Sequence, residues 1–132
     1  MNALMINEEP VLSALIIDDD EAMRKLIRIF VEEAGFQVTE AVDGDEAIDL
    51  LSNDQDFDLV ITDILMPKAN GNEVIKKVRE TSNKTRIIAV SGGNMVYADT
   101  YLEIAESLGA DYVFNKPIDF TMMRNVFQSI KQ

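Results

Sequence analysis

Polar residues that could act together follow four short apolar segments of the 132-residue chain. They are an aspartate run (Asp18, Asp19 and Asp20), then Asp63, Ser91 and Lys116. Asp63 lies 45 residues after Asp18, and the next two intervals are 28 and 25 residues. Converging carboxylates repel each other by roughly 4 kcal/mol per pair at about 4 Å in a medium of effective dielectric near 20. Because the chain has no cysteine and no histidine, the ligands are oxygens, and a hard cation such as Mg²⁺ is expected to offset that repulsion.

Around Asp63 this set would combine a metal ion, a hydroxyl and an ammonium group without a histidine base, which suits a phosphoryl group. The metal and Lys116 would neutralise phosphoryl oxygens, Ser91 would donate a hydrogen bond, and the Asp63 carboxylate would be the nucleophile. Taken singly, these residues have ordinary interpretations as helix caps, a turn residue and a surface lysine, and Asp20 is predicted to be a helix cap only. The prediction rests on their occurrence together.

A strand–helix alternation is predicted to position these residues. Apolar segments predict strands at 12–17, 36–42, 59–62, 87–90 and 112–114. Amphipathic stripes predict helices at 21–34, 45–52, 71–80 and 98–108, and a fifth that begins after Asp119. This pattern predicts an α/β fold of the flavodoxin-like type, a doubly wound parallel (βα)5 sheet with strand order 2-1-3-4-5. In that order strands 1, 3, 4 and 5 are neighbours, so the polar residues should lie in a row at their carboxyl ends.

The composition excludes several classes of protein. The net charge is −12, and residues 1–66 contain 17 acidic residues against three basic ones, a balance unsuited to binding nucleic acid directly. No apolar run is long enough to span a membrane. Residues 1–10 lack a basic residue and make a poor signal peptide, so we expect an N-terminal tail followed by one cytoplasmic domain over 11–132. Because the predicted strands and helices fill the chain, we expect no output domain.

Five segments carry a family resemblance: ALIIDDD at 14–20, DLVITDILMP at 58–67, VSG at 90–92, LGAD at 108–111 and KP at 116–117. Through them, essentially residues 11–132 resemble the receiver domain of bacterial two-component response regulators. The resemblance implies that Asp63 accepts a phosphoryl group from a histidine kinase or a histidine phosphotransfer protein. It implies that Ser91 and Lys116 hold the phosphoryl oxygens and that the Lys116-Pro117 peptide is cis. The implied Mg²⁺ ligands are Asp19, Asp63 and the backbone carbonyl of Leu65, with Asp18 acting through a bound water.

The chain departs from the family pattern at two places. Val113 stands three residues before the lysine, where the family often has an aromatic switch residue, and Tyr112 should face the opposite side of its strand. Leu65 and Gly93 occupy the positions that influence hydrolysis of the acyl phosphate, so we expect slow self-hydrolysis. With Ser91 and Val113 as the switch pair, the signal is expected to emerge through residues 91–97. The partner surface would be helix 4, strand 5 and helix 5, in the more basic half of the chain.

Three other classes can be weighed against this interpretation. A phosphatase of the haloacid-dehalogenase type needs a second aspartate where this chain has Leu65. A flavin-binding electron carrier of this fold has a phosphate-binding loop where the aspartate run would repel a phosphate. A receiver that serves only as a scaffold would not need the complete set of site residues. We therefore expect a phosphoacceptor signalling protein, not an enzyme, which acts by contact with another protein.

Overall fold

Strands and helices alternate along the whole described part of the chain. The computed structural model describes residues 11–53, 55–66, 68, 70–92 and 98–131. The strands are β1 (Ser13–Ile17), β2 (Gln37–Ala41), β3 (Leu59–Asp63), β4 (Arg86–Ser91) and β5 (Tyr112–Asn115). The helices are α1 (Glu21–Glu33), α2 (Gly44–Ser52), α3 (Gly71–Thr81), α4 (Ala98–Leu108) and α5 (Phe120–Lys131).

The predicted elements are confirmed in number, order and type, and their bounds differ by at most one residue. At their carboxyl ends β3 and β4 each extend into the polar residue that follows the apolar run. No described helix has the length and apolar content that a membrane span requires. The predicted tail over 1–10 lies outside the described residues.

All five strands are parallel and follow the order β2-β1-β3-β4-β5, as predicted. The register pairs Ile17 with Thr62, Asp63 with Val90, and Ser91 with Asn115. Because parallel strands end at the same edge of the sheet, this register brings the polar ends of β1, β3, β4 and β5 into one row.

Two apolar cores cover the two faces of the sheet. Alternate strand residues point to opposite faces, so each strand contributes to both cores. One core packs α1 and α5 against Ile16, Ile61 and Phe114, and the other packs α2, α3 and α4 against Leu15 and Val60, among other strand residues. Near-continuous apolar strands such as β1 and β3 are explained by this double coverage.

Polar caps and two glycines fix the helix ends. The Asp20 carboxylate accepts hydrogen bonds from backbone N–H groups of the first turn of α1, which confirms its predicted role as a cap. Asp43 and Asn70 cap α2 and α3 in the same way. Gly35 and Gly109 adopt positive φ values of 98° and 122° after α1 and α4, a conformation that favours glycine. These caps set where each helix begins relative to the row of strand ends.

Candidate functional site

Three carboxylates converge at the carboxyl end of the sheet. Asp18, Asp19 and Asp63 each offer a carboxylate oxygen, and these atoms lie within 4.8 Å of one another. Asp63 is the last residue of β3, and Asp18 follows β1 directly. Asp18 and Asp63 are 1% and 7% exposed, whereas Asp19 is open to solvent. The predicted convergence of the aspartates is therefore present in the structure.

Lys116 reaches into this cluster from the end of β5. Its Nζ lies 3.2 Å from Asp63 Oδ2, as strand order predicted, and 3.1 Å from Asp18 Oδ2, which was not predicted. The Lys116-Pro117 peptide is cis, as expected. Three carboxylates and one ammonium give the cluster a formal charge of −2. The lysine therefore compensates the acidic cluster only in part.

Burial and neighbouring charges both shift the pKa values of Asp63 and Lys116, whose side chains are in contact. Burial raises the pKa of the Asp63 carboxyl, the Lys116 ammonium opposes that rise, and the Asp18 carboxylate adds to it, so the pKa lies above its usual value. Burial would lower the pKa of Lys116, but the nearby Asp63 and Asp18 carboxylates outweigh burial and raise it. Lys116 therefore keeps its proton and its charge at neutral pH.

Ser91 lies at the end of β4, between β3 and β5. Its residue exposure is 0%, and its Oγ has no hydrogen-bond partner among the described residues. A buried hydroxyl without a partner costs about 1–3 kcal/mol. Its backbone carbonyl accepts a hydrogen bond of 2.8 Å from the N–H of Lys116, which joins the two predicted phosphoryl-binding residues. With no partner among the described residues, the hydroxyl is available to donate to a ligand at this edge of the sheet.

The backbone after β3 is held tightly against the site. The N–H of Leu65 donates to Asp63 Oδ1 at 3.2 Å. Leu65, whose backbone carbonyl is a predicted Mg²⁺ ligand, therefore lies next to the Asp63 carboxylate. The N–H of Ile64 donates to the Val90 carbonyl at 2.9 Å, and the N–H of Gly71 donates to the Ile64 carbonyl at 2.8 Å. Three hydrogen bonds therefore fix the turn that carries Asp63. Two further motif positions, 67 and 93, lie outside the described residues.

Val113 and Tyr112 face opposite sides of the sheet, as predicted. Tyr112 packs against the core under α1 and α5, and Val113 packs against the core under α2, α3 and α4. Beside Val113 lies an open cavity of about 290 Å³, whose lining includes Glu103 and Glu106 of α4. The predicted switch loop over 91–97 is described only at Ser91 and residue 92.

The predicted partner surface is acidic at α4, although it lies in the more basic half of the chain. Residues 98–108 contain no lysine or arginine, and Glu103 and Glu106 are exposed. The expectation averaged charge over half of the chain. Most basic residues of that half lie on α3, on α5 and around β4, and the other two are Lys68 and Lys116. The α4 side of this surface is acidic.

One cluster beside the site was missed by the sequence analysis. Arg24, Lys25 and Arg28 are the three basic residues of the first 66, and all three donate to the Glu40 carboxylate. Burial would raise the pKa of Glu40, but these hydrogen bonds lower it from 4.5 to about 2. Arg24 also donates to the backbone carbonyl of Asp18 at 2.8 Å. The one signal in the sequence was that all the basic residues of the acidic half occur within five positions of α1.

The donor set fits a hard divalent cation. It offers carboxylate oxygens from two strand ends, one of them open to solvent, with no nitrogen or sulfur ligand among them. The formal charge of the cluster has the sign and size that a divalent cation would neutralise. The hydroxyl of Ser91, buried and without a partner among the described residues, lies one strand away from Asp63.

Comparisons with known proteins agree on the family. The family model described as "Response regulator receiver domain" matches residues 14–128. CpxR, a transcriptional regulatory protein of Escherichia coli K12, is 36% identical over 105 residues, which cover 80% of this chain and 43% of CpxR. The response regulator SaeR of Staphylococcus aureus is 33% identical over 103 residues, 78% of this chain and 43% of SaeR. The chain therefore spans less than half the length of these curated relatives.

A solved structure gives the same result at the level of the fold. The REC domain of AraT, a response regulator from Geobacillus stearothermophilus, superimposes with a TM-score of 0.78 at 29% identity. The superposition covers 92% of this chain and 94% of the AraT domain. The chain belongs to the response regulator receiver domain family, the phosphoacceptor domains of two-component signalling.

Proposed function

We propose that Asp63 accepts a phosphoryl group from a histidine kinase or a histidine phosphotransfer protein. The observation that carries this proposal is the contact of the Asp63 carboxylate with the Lys116 ammonium, beside Asp18 and Asp19. The buried hydroxyl of Ser91 on the next strand adds a donor for a phosphoryl oxygen. A nucleophile, a cationic side chain and a hydroxyl donor are groups that suit phosphoryl transfer to a carboxylate.

In the proposed reaction an oxygen lone pair of Asp63 forms the new bond to phosphorus. The bond from phosphorus to the donor imidazole nitrogen breaks, and its electron pair stays on that nitrogen. The product is an acyl phosphate, whose added negative charge lies on the phosphoryl oxygens. Lys116 would exchange its contact with the Asp63 carboxylate for one with a phosphoryl oxygen, and Ser91 would donate to another.

We propose Mg²⁺ as the cofactor of this reaction. Asp19, Asp63 and the Leu65 carbonyl would hold it directly, and Asp18 through a bound water. When bound, the metal would supply positive charge that neutralises the carboxylates and polarises the phosphoryl oxygens. The formal charge of −2 in the cluster supports a divalent ion. Asp18 would also keep Lys116 in place, since its Oδ2 contacts the ammonium.

The phosphorylated state is proposed to signal by protein–protein contact. We also propose that the protein is located in the cytoplasm. It would act as a signalling phosphoacceptor and would not turn over an external substrate. The downstream partner would be a protein and not nucleic acid or a membrane, because the net charge is −12 and α4 lacks basic residues. Ser91 and Val113 would form the switch pair, with valine replacing the usual aromatic side chain.

Phosphorylation by a small donor tests the proposal. The protein incubated with acetyl phosphate and Mg²⁺ should gain the mass of one phosphoryl group, stable in acid and labile in base. Asp63→Asn should abolish the gain, and chelation of Mg²⁺ should prevent it. Asp49→Asn, at an exposed position of α2, is the matched control and should be labelled like the wild type. Equal labelling of Asp63→Asn would show that the phosphoacceptor has been assigned wrongly.

A further inference from the structure

The buried guanidinium of Arg24 joins β2 to the aspartate pair that follows β1. Arg24 is 7% exposed, its Nε donates to Glu40 Oε1 at 2.7 Å, and its Nη1 donates to the Asp18 carbonyl oxygen at 2.8 Å. That carbonyl belongs to the peptide unit that connects Asp18 to Asp19. The direction of this peptide plane sets where both carboxylates point, because each side chain leaves the backbone next to it.

The Asp18 carbonyl lies just beyond the paired part of β1. The paired register of β1 ends at Ile17, one residue earlier, with both of its neighbouring strands. Among the described residues, the one partner of the Asp18 N–H is the Ala41 carbonyl, at a long distance of 3.3 Å. A buried backbone carbonyl needs a donor, and within the described residues Arg24 supplies it.

Glu40 holds the other edge of the guanidinium in place. Its Oε2 accepts hydrogen bonds from Lys25 at 3.0 Å and from Arg28 at 2.6 Å, so the carboxylate is fixed by three cations of α1. Glu40 also precedes Ala41, the residue that accepts from the Asp18 N–H. Arginine can hold both partners because its planar guanidinium presents several donors in a fixed arrangement, which a lysine ammonium cannot reproduce.

We propose that Arg24 is a positioning residue of the metal site, which orients the Asp18–Asp19 peptide and thereby sets the spacing of the carboxylates. The inference rests on the proposed function, since it assigns Arg24 a role in Mg²⁺ binding. Arg24 does not itself touch the metal or the phosphoryl group. Its effect reaches them through the backbone of Asp18, with Glu40 as the fixed support.

The expected effect has the size usual for residues that orient metal ligands. Changing such a residue typically weakens metal affinity by about 10- to 100-fold. Arg24→Lys keeps the charge but breaks the double contact, so we expect Mg²⁺ to bind about tenfold more weakly. Arg28→Lys is the matched control, because Arg28 donates to the same Glu40 carboxylate and, within the described part of the chain, makes no hydrogen bond to Asp18. We expect its Mg²⁺ affinity to lie within about twofold of the wild type, below the range for ligand-orienting residues.

Three measurements on the protein separate positioning from a general loss of stability. Calorimetric titration with Mg²⁺ gives the dissociation constant, and amide hydrogen exchange of the metal-free protein reports the order of the backbone at Asp19 and Asp20. The Asp20 N–H donates to Asp18 Oδ1 at 2.9 Å, so it should lose protection when the peptide before it is freed. Melting temperatures of Arg24→Lys and Arg28→Lys show whether both variants are folded at the temperature of the titration.

Glu40→Gln is the second variant, for the case in which Arg24→Lys does not fold. It removes the charged support of Arg24 while leaving all three basic side chains, and we expect Mg²⁺ to bind severalfold more weakly. The inference is overturned if Arg24→Lys is folded and binds Mg²⁺ as tightly as the wild type does. If Arg24→Lys does not fold, the inference is overturned when Glu40→Gln binds Mg²⁺ as tightly as the wild type does. It is also overturned if Arg28→Lys weakens binding as much as Arg24→Lys. A wild type that binds no Mg²⁺ refutes the proposed metal site itself, and the inference with it.

Discussion

Gly71, the first residue of α3, lies close to the backbone of Asp63, the proposed phosphoacceptor. A Cβ added there would lie 2.2 Å from the Asp63 carbonyl oxygen and 2.8 Å from the Ile64 Cα. Real Cβ atoms essentially never come within 3.0 Å of such atoms, so Gly71→Ala requires a shift of at least about 0.8 Å. The obstacle is backbone that three hydrogen bonds hold in place, and no side chain can move to relieve it.

The effect of Gly71→Ala on the free energy of unfolding is the difference between two opposing contributions. Overpacking typically costs about 1–3 kcal/mol, and a rigid backbone obstacle places this site at the upper end. Alanine is favoured over glycine in a helix by up to about 1 kcal/mol, which offsets part of that cost. We expect Gly71→Ala to lower the free energy of unfolding by about 1–2 kcal/mol. The displaced Asp63 should also accept a phosphoryl group about tenfold more slowly, since misplacement of a reacting group by about 1 Å can cost about 100-fold.

Urea unfolding and the initial rate of labelling by acetyl phosphate at saturating Mg²⁺ measure the two effects separately. Gly92→Ala is the matched control for stability, because its Cβ would meet no atom of the described residues within 4 Å and its φ is not in the left-handed region. It should unfold within about 0.5 kcal/mol of the wild type, as surface substitutions usually do. A Gly71→Ala protein with wild-type stability and a wild-type labelling rate would refute the argument.

Three further predictions concern charge. The low pKa of Glu40 corresponds to at most about 3 kcal/mol of stability, which screening of its exposed partners reduces to about 1–2 kcal/mol. It is present above pH 4.5 and lost as the pH falls toward 2, so the unfolding difference between wild type and Glu40→Gln should shrink over that range. Lys116→Met should bind Mg²⁺ more tightly in calorimetry yet be labelled more slowly by acetyl phosphate; weaker Mg²⁺ binding would contradict this. Mg²⁺ at about 100 times its Kd should stabilise the protein by about 2.7 kcal/mol in thermal unfolding. Asp19→Asn should lose most of that gain at the same Mg²⁺ concentration, and an unchanged gain would show that Asp19 is not a ligand.

The fold and the row of site residues could be predicted because both depend on periodicity. Buried parallel strands give continuous apolar runs, and the polar residue that ends each run marks the carboxyl edge of the sheet. The strand order then makes Asp63, Ser91 and Lys116 neighbours without any knowledge of side-chain conformation. The same reasoning predicted that Val113 and Tyr112 lie on opposite faces.

The contacts that support the site could not be predicted, because they depend on how each helix is rotated and which rotamers it allows. The periodicity of α1 shows which residues face the sheet, but not that Arg24 reaches past the sheet edge to the Asp18 carbonyl. The approach of Gly71 to Asp63 depends on the distance between α3 and β3, which no sequence pattern sets. The acidic character of α4 was readable from its residues and was obscured by averaging over half of the chain.

The three carboxylates of the site differ in how firmly they are held. Asp18 is fixed at three points: its Oδ1 accepts from the Asp20 N–H, its Oδ2 contacts Lys116, and its carbonyl accepts from Arg24. Asp63 is held by the Leu65 N–H and by Lys116, a side chain that can change partners. Asp19 is exposed, and its carboxylate accepts no hydrogen bond within the described part of the chain. A cation can therefore reach the open carboxylate from solvent while the buried ones keep their geometry, and Lys116 can leave Asp63 without releasing Asp18. An exposed Asp19, a firmly held Asp18 and a movable Lys116 therefore suit a site that binds and releases a cation and a phosphoryl group.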